Sequence, residues 1–425
     1  MIENYFPVPL KRIVVDSVPN FDLYMKQKER YVLYRNANIK FEKSNLDNLM
    51  GNNIVSLYVS KKDIKQYEEY RQKMRAGQEE EAKKQGYTGI FVDPEEIERY
   101  HDIRANFHLI ECKIFEPGLE IDFPVYYHKD NDVQLCADFE SKPEGPWVLT
   151  DKFLKVNGLP LMIRNEDIEK YRAYLANLLA SFSKVWRDDS VRVQREAIAL
   201  REMSKMVVKD VLDDPRSGEK IKQVNVSVHS LIGFILDNEA SFYSLMRISS
   251  HDYYTYVHSI NVCTFCVGLG SALGLPEYPH IEMLGLGAML HDVGKSQIDS
   301  QLINKPGKLT DEEFKRMKDH VAQGVDILKK HHNLPEQALE PVAQHHEKIT
   351  GTGYPNGLKG DQIGLFGRIS SIADIYDALT TERSYKRALT PFEALSFLNK
   401  TSADYDRQCL TQFIMTLGKQ IRDAK

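Results

Sequence analysis

Apolar positions along this chain change period twice. Over the first 180 or so residues they come in short runs that read as strands: Tyr31-Val32-Leu33-Tyr34 and Val55-Ser56-Leu57-Tyr58-Val59 are β-branched or aromatic and are bounded by Asn and Gly turns. From Tyr171 to about Ile248 the period is helical, with Val193, Ala197, Leu200, Met203, Met206, Val207 and Val211 at three- and four-residue steps. Asp213-Asp214-Pro215-Arg216-Ser217-Gly218 breaks that pattern, and a second apolar helix follows through Val226, Val228, Leu231, Ile232, Phe234 and Ile235. Beyond residue 250, Ile281 to Leu290 reads as an apolar helix, with the run Met283-Leu284-Gly285-Leu286-Gly287-Ala288-Met289-Leu290.

The strand-rich part repeats. Val59-Ser60-Lys61-Lys62-Asp63-Ile64 aligns with Ile163-Arg164-Asn165-Glu166-Asp167-Ile168 at an offset of 104 residues, and Phe21-Asp22-Leu23-Tyr24 resembles Phe123-Pro124-Val125-Tyr126 after a two-residue gap. Each copy is expected to run strand, strand, short helix, strand, then a helix opening at Asp63 or Asp167. Lys73 to Gly89 is charged and reads as a solvated connection. The expected fold is a multidomain α+β protein: an α/β module at 1–75, a linker at 76–106, a second copy at 107–178, a helical connector at 179–244 and an all-α catalytic domain at 245–425. Nothing in the repeat has metal-ligand or nucleophile spacing, so it is either a structural or dimerising module or a sensor of a small ligand or a partner. The connector either packs on the catalytic domain or forms a signalling helix and homodimer seam.

At 425 residues, 42% hydrophobic and 28% charged, the composition is that of an ordinary globular protein. A net charge of −5 gives no global basic footprint, so no nucleic-acid partner is expected and an anionic ligand needs a local cluster of cations. Five scattered cysteines do not make a disulfide framework, Met1 to Asp16 lacks a signal-peptide layout, and the stretch Val262 to Leu275 is too short to span a bilayer. The expectation is a cytoplasmic protein with no membrane partner.

Polar islands interrupt the apolar helices. His291-Asp292 ends one of them, followed by Val293-Gly294-Lys295, where Gly294 reads as a helix stop. A buried aspartate costs several kcal/mol unless it is paired or coordinated, roughly the penalty for burying an unpaired charge. His258 lies in the preceding helix. Thr310-Asp311-Glu312-Glu313 is a capping box opening the helix that carries His320. A helix starting near Pro335 delivers His345-His346-Glu347, which runs into the loop Gly351-Thr352-Gly353-Tyr354-Pro355; the last helix offers Asp374 and Asp377. Cys263 and Cys266 form one CxxC without a second pair, and packing explains them better than zinc. Together His258, His291, Asp292, His320, His345, His346 and Asp374 offer a thiolate-free N/O set from five helices. Such a set suits two divalent ions, iron or manganese before a structural zinc, and the use of a metal pair is displacement at phosphorus.

His291-Asp292-Val293-Gly294-Lys295, His345-His346-Glu347 leading to Gly353-Tyr354-Pro355, and the tail from Arg368 to Lys386 together resemble the HD-GYP family over roughly residues 245 to 415. The resemblance implies a bacterial phosphodiesterase that hydrolyses cyclic di-GMP to pGpG, and on to GMP if the second diester is cut, through a hydroxide bridging two metals. It places metal ligands on the seven residues above, with Asp292 bridging and catalytic, and Asp377 orienting a ligand from behind. It also places substrate contacts on Lys295, Gly353, Tyr354, Arg383 and Lys386, with Lys295 serving the reaction as well. Two positions depart from the family pattern. Tyr254 stands where some members carry a glutamate for a third metal, which implies a two-metal centre, and Thr350 stands where many have an aspartate. Rival expectations are a cyclic di-GMP receptor with little turnover, and an HD phosphohydrolase of another nucleotide.

Overall fold

The computed structural model describes residues 5–10, 13–27, 30–51, 54, 56–67, 69, 70, 73, 106–116, 118–129, 132–136, 139, 145–150, 161–182, 190–237, 239–247, 255–275, 278–303, 305, 308–331, 334–381 and 388–423. The chain divides into two compact units, Met1–Asp93 and Pro94–Lys425.

In the first unit, β1 (Tyr5–Pro9), β2 (Leu23–Gln27), β3 (Arg30–Arg35) and β4 (Ser56–Ser60) form an antiparallel sheet in the order β1-β4-β2-β3, with helix α1 (Lys43–Gly51) between β3 and β4. Its core gathers Val8, Phe21, Leu23, Phe41, Leu57, Val59 and Tyr70. The strand β1 is absent from the sequence expectation because Tyr-Phe-Pro-Val-Pro reads against a strand. It lies at a sheet edge, where a proline costs no ladder hydrogen bond.

The second unit opens with another antiparallel sheet, β5 (Phe107–Ile110), β7 (Tyr126–Lys129), β8 (Asp132–Leu135) and β10 (Leu161–Arg164), ordered β5-β10-β7-β8. The short strands β6 (Glu120–Ile121) and β9 (Trp147–Val148) pair beside it. No α-helix stands between β8 and β10 among the described residues, so the short helix expected there is not found; much of that segment lies outside them. The turn Asn165–Asp167 then leads into α2 (Ile168–Phe182).

The remainder is helical: α3 (Ser190–Asp213), α4 (Gly218–Asp237), α5 (Glu239–Arg247), α6 (Thr255–Ala272), α7 (Tyr278–Leu290), α8 (Asp311–Leu328), α9 (Leu339–Gln344), α10 (Leu365–Thr380), α11 (Pro391–Lys400) and α12 (Arg407–Asp423). The apolar stripe on α3 is split between two cores. Ile198, Ala199 and Met206 complete the core of the second sheet, whereas Val193, Ala197, Leu200, Val207, Val208 and Val211 join the helical core. The connector thus packs on the helical core and on the second sheet. At the centre, α6 is buried on every side from Val257 to Gly270, which is why its sequence shows no polar face. Cys263 and Cys266 are fully buried there, and burial pushes the Cys263 thiol up to about 12, which makes both packing residues. The five cysteines are free thiols. Among the described residues no helix is long and apolar enough to cross a membrane.

Candidate metal centre

Five segments aim side chains at one buried point. His258 comes from α6; His291 and Asp292 follow the last residue of α7; His320 lies on α8; His345 caps α9, with His346 one residue beyond; Asp374 comes from α10. All but the partly exposed His346 are buried, with Asp374 at the margin. Gly294 does not stop α7, which already ends at Leu290; it sits inside the short helix Val293–Gln297. A Cβ at Gly294 would collide with the His320 carbonyl, so the glycine lets the two segments touch and brings Asp292 beside His320.

The nitrogens fall into two groups, His258 with His291 and His320 with His345 and His346. His258 Nε2 and His291 Nε2 are 3.1 Å apart, and His320 Nε2 and His345 Nε2 are 3.3 Å apart. Asp292 lies between the pairs: Oδ2 is 3.4 Å from His291 Nε2 and 3.6 Å from His258 Nε2, while Oδ1 is 3.4 Å from His320 Nε2 and 3.9 Å from His345 Nε2. Asp374 spans the other side, with Oδ1 3.0 Å from His258 Nε2 and Oδ2 3.5 Å from His346 Nδ1.

The opposite ring nitrogens show what these pairs require. His291 Nδ1 meets the Ala288 carbonyl at 2.7 Å, His320 Nδ1 the Met317 carbonyl at 2.6 Å and His345 Nδ1 the Pro341 carbonyl at 2.8 Å. His258 Nδ1 meets Asp377 Oδ2 at 2.7 Å. Carbonyl and carboxylate oxygens only accept, so each Nδ1 carries the proton and each neutral ring turns a bare Nε2 lone pair inward. Lone pairs facing one another at about 3 Å repel, and a cation between them removes the repulsion. Asp292 Oδ1 adds a buried oxygen without a hydrogen-bond partner. The donor set therefore fits divalent metals: mixed imidazole and carboxylate, no thiolate, and a carboxylate placed to serve both groups.

The electrostatics agree. Burial raises the Asp292 carboxyl, but Lys295, His291 and His320 outweigh it and hold the group well below the usual carboxylate range. Burial likewise raises Asp374, and the polar neighbours His258, His346 and His345 bring it well below that range. Burial holds His345 well below the ordinary imidazole value, lowers His320, and brings His346 to about 3. Neutral imidazole beside ionised carboxylate is the state that binds a metal.

Lys295 Nζ donates to Asp292 Oδ2 at 2.5 Å, which keeps its charge at the rim of the cluster. Asp377 lies behind His258, and its Oδ1 accepts from Asn261 Nδ2 at 2.6 Å and Thr381 Oγ1 at 3.1 Å. Tyr354 stands over His346, with ring centroids 4.5 Å apart. Gly353 touches the backbone behind it: a Cβ there would lie 2.5 Å from Glu347 Cα and Lys348 N. Arg383, Lys386 and Tyr254 lie outside the described residues.

Three residues of this neighbourhood escape a reading by ligand type. Glu347 is buried under the loop and accepts from the Asn356 and Leu358 backbone N–H groups at 2.7 and 3.0 Å. Asn261 braces Asp377. Asp404 holds the start of the loop, taking Lys348 Nζ at 2.7 Å and Thr350 Oγ1 at 3.0 Å. The run His-His-Glu was a signal for the first; Asn261 and Asp404 left none, since their partners are far along the chain.

Residues 247–409 match the family model described as an HD domain. A cyclic di-GMP phosphodiesterase of Pseudomonas aeruginosa is 34% identical over 226 residues, covering 53% of this chain and 54% of that protein. A 3′3′-cGAMP-specific phosphodiesterase of Vibrio cholerae is 44% identical over 133 residues, 31% of this chain and 25% of that one. This chain thus spans about half the length of the first relative and a quarter of the second. Among solved structures, an HDG"Y"P protein from Bdellovibrio bacteriovorus aligns with a TM-score of 0.57 at 22% identity, over 74% of this chain and 99% of its own, a likeness of fold. Residues 247–409 thus carry an HD domain, and they are similar to those of cyclic dinucleotide phosphodiesterases.

Proposed function

We propose that the chain is a metal-dependent phosphodiesterase that opens cyclic di-GMP to linear pGpG. One observation carries this reading: two sets of inward-facing imidazole lone pairs flank the buried carboxylate of Asp292. His258, His291 and Asp292 would hold one cation, His320, His345 and His346 the other, with Asp374 reaching both. Iron or manganese suits such a thiolate-free N/O set. When bound, the pair supplies Lewis acidity at phosphoryl oxygens and lowers the pKa of water.

The protein's own part is placement. Lys295 brings a cation to the rim, where it can receive a non-bridging phosphate oxygen as a point charge. Gly353 lets the loop lie flat on the His346–Lys348 backbone and so sets Tyr354 beside the scissile group. Arg383 and Lys386 are assigned to phosphate or guanine contacts by resemblance alone. The linear product retains one diester, and its cleavage to GMP would be the same reaction at the same place.

A second reading, 3′3′-cGAMP as substrate, is favoured by the 44% identity to the Vibrio cholerae enzyme. A metal-holding receptor with little turnover is the third. The experiment is to purify the protein anaerobically, count metals per chain, and follow both dinucleotides by chromatography beside Asp292→Ala. Turnover of cyclic di-GMP to pGpG, lost in the variant by at least about 100-fold, is expected for loss of a bridging ligand. Binding without turnover would favour the receptor, and neither binding nor turnover would sink the reading.

We also infer that the two small sheets are copies of one module. Support comes from register: the pair Val8 with Leu57 recurs as Ile110 with Leu161, Tyr24 with Leu33 as Tyr126 with Leu135, and Tyr24 with Tyr58 as Tyr126 with Met162. The division into 1–75, 76–106, 107–178, 179–244 and 245–425 follows from that inference.

A further inference from the structure

From Tyr354 an aromatic shelf extends outward at the rim of the metal centre, and its further members have no part in the reaction as described. Tyr354 lies over His346 with ring planes 32° apart, and it also meets Phe314 of α8 at 6.1 Å, nearly perpendicular. Phe314 is 45% exposed and belongs to no core cluster of the described residues. Lys318, one helical turn further on the same face, closes the corner. Its Nζ lies 4.6 Å from the Phe314 ring centroid and 5.1 Å from that of Tyr354. Among the described residues no carboxylate pairs with Lys318. His320, two residues on, points the other way into the cluster. The same helix thus offers a metal donor inward and an aromatic–cation corner at the opening.

A lone exposed phenylalanine needs no explanation. This one continues a line of ring contacts from the candidate ligand His346 through Tyr354, and so stands two ring contacts from a metal donor. Aromatic faces at that distance from a phosphodiester site suit a stacked base. The lysine adds a selection rule. It has three donors and no acceptor. Guanine presents two acceptors, N7 and O6, on one edge, where adenine presents an acceptor and a donor. A donor-only group therefore pairs with both edge atoms of guanine and opposes one of adenine's.

We propose that Phe314 and Tyr354 seat a guanine base of the dinucleotide and that Lys318 selects guanine over adenine there. This rests on the phosphodiesterase reading and deepens it. The holoprotein, Phe314→Ala, Phe314→Trp and Lys318→Met are compared on cyclic di-GMP, cyclic di-AMP and bis(4-nitrophenyl) phosphate, a diester with no base. Calorimetric affinities for both dinucleotides are read in parallel. Phe314→Ala is expected to raise KM for cyclic di-GMP by about tenfold, the order expected from loss of one stacked base. Its kcat should change far less, its loss on the base-free diester should be several-fold smaller, and Phe314→Trp should recover affinity. Lys318→Met should narrow the preference for cyclic di-GMP over cyclic di-AMP. Equal losses on all three diesters, or unchanged affinity for cyclic di-GMP in Phe314→Ala, would overturn the seat. An unchanged base preference in Lys318→Met would overturn the selection rule. A parent protein that cleaves none of the three diesters sinks the phosphodiesterase reading instead, and calorimetry then still decides the seat.

Discussion

Asp377 stands behind His258, where it would set how that donor meets a metal. Its carboxylate takes the Nδ1 proton of His258 on one oxygen and the Asn261 amide with the Thr381 hydroxyl on the other. Both oxygens must accept. In Asp377→Asn one of them becomes a donor, so either His258 loses its acceptor or Asn261 faces another NH2. The imidazole can then protonate Nε2 or turn, and in either case a ligand is lost from the first group. Metal affinity is expected to fall about 10- to 100-fold, as for other residues that hold a ligand from behind. Titration against a chelator, with circular dichroism to confirm the fold, reads this directly; unchanged retention would mean that Asp377 only packs. Asp377 stood out by its place three residues after Asp374, beside an apolar stripe, while an orienting role for it came from the family resemblance alone. Asn261 did not stand out, because an asparagine in an apolar helix says nothing until its partner, more than a hundred residues away, is known.

At the scale of elements, the loop from Gly351 to Pro355 is held from two sides. Glu347 fixes its far end through the Asn356 and Leu358 N–H groups. Asp404 fixes its beginning: its carbonyl accepts from Ile349 N at 3.0 Å while its carboxylate takes Lys348 and Thr350. Thr350 thus keeps the loop tied through a carboxylate that the chain supplies from elsewhere. The side-chain contacts are partly exposed, and such pairs contribute about 0.2–1 kcal/mol each. Asp404→Ala is accordingly expected to lower kcat/KM only a few-fold, through KM, with metals per chain unchanged. A loss of metal, or a collapse of activity beyond about 100-fold, would show that Asp404 does more than tether. The motif itself stood out because its residues are contiguous. The tether did not, since its carboxylate lies 54 residues beyond Thr350. The same limit hid β1, whose prolines conceal a strand until its edge position is known, and it misplaced the end of α7, where Gly294 serves contact with α8.

Over the whole second unit, α3 lies in both cores, and its polar residues follow the same division. Glu202 accepts from Tyr171 of α2 at 3.1 Å and pairs with Lys205 at 2.5 Å. Its neighbour Arg201 is buried within the field of Asp377; burial lowers its pKa, with Asp377 and Glu202 opposing. The metal cluster's buried groups lie within this same unit, so their titration bears on its stability. Without metal, burial keeps His345, His320 and His346 neutral, His346 down to about 3. In the unfolded chain they protonate near 6.5, about the ordinary imidazole value. As pH falls below that value the unfolded state takes up protons first, so stability is fully present above it and is lost progressively toward pH 3. Asp292 and Asp374, held low, act in the same direction, but only below their unfolded values of about 4. Chelated protein should therefore melt at steadily lower temperature from pH 7 to pH 4.5, a range in which the histidines dominate. His346→Gln, which removes one of these protonations, should show a shallower decline under the same conditions. Thermal melts of the two chelated proteins across that range decide it: parallel curves would mean that His346 is not held neutral by the fold.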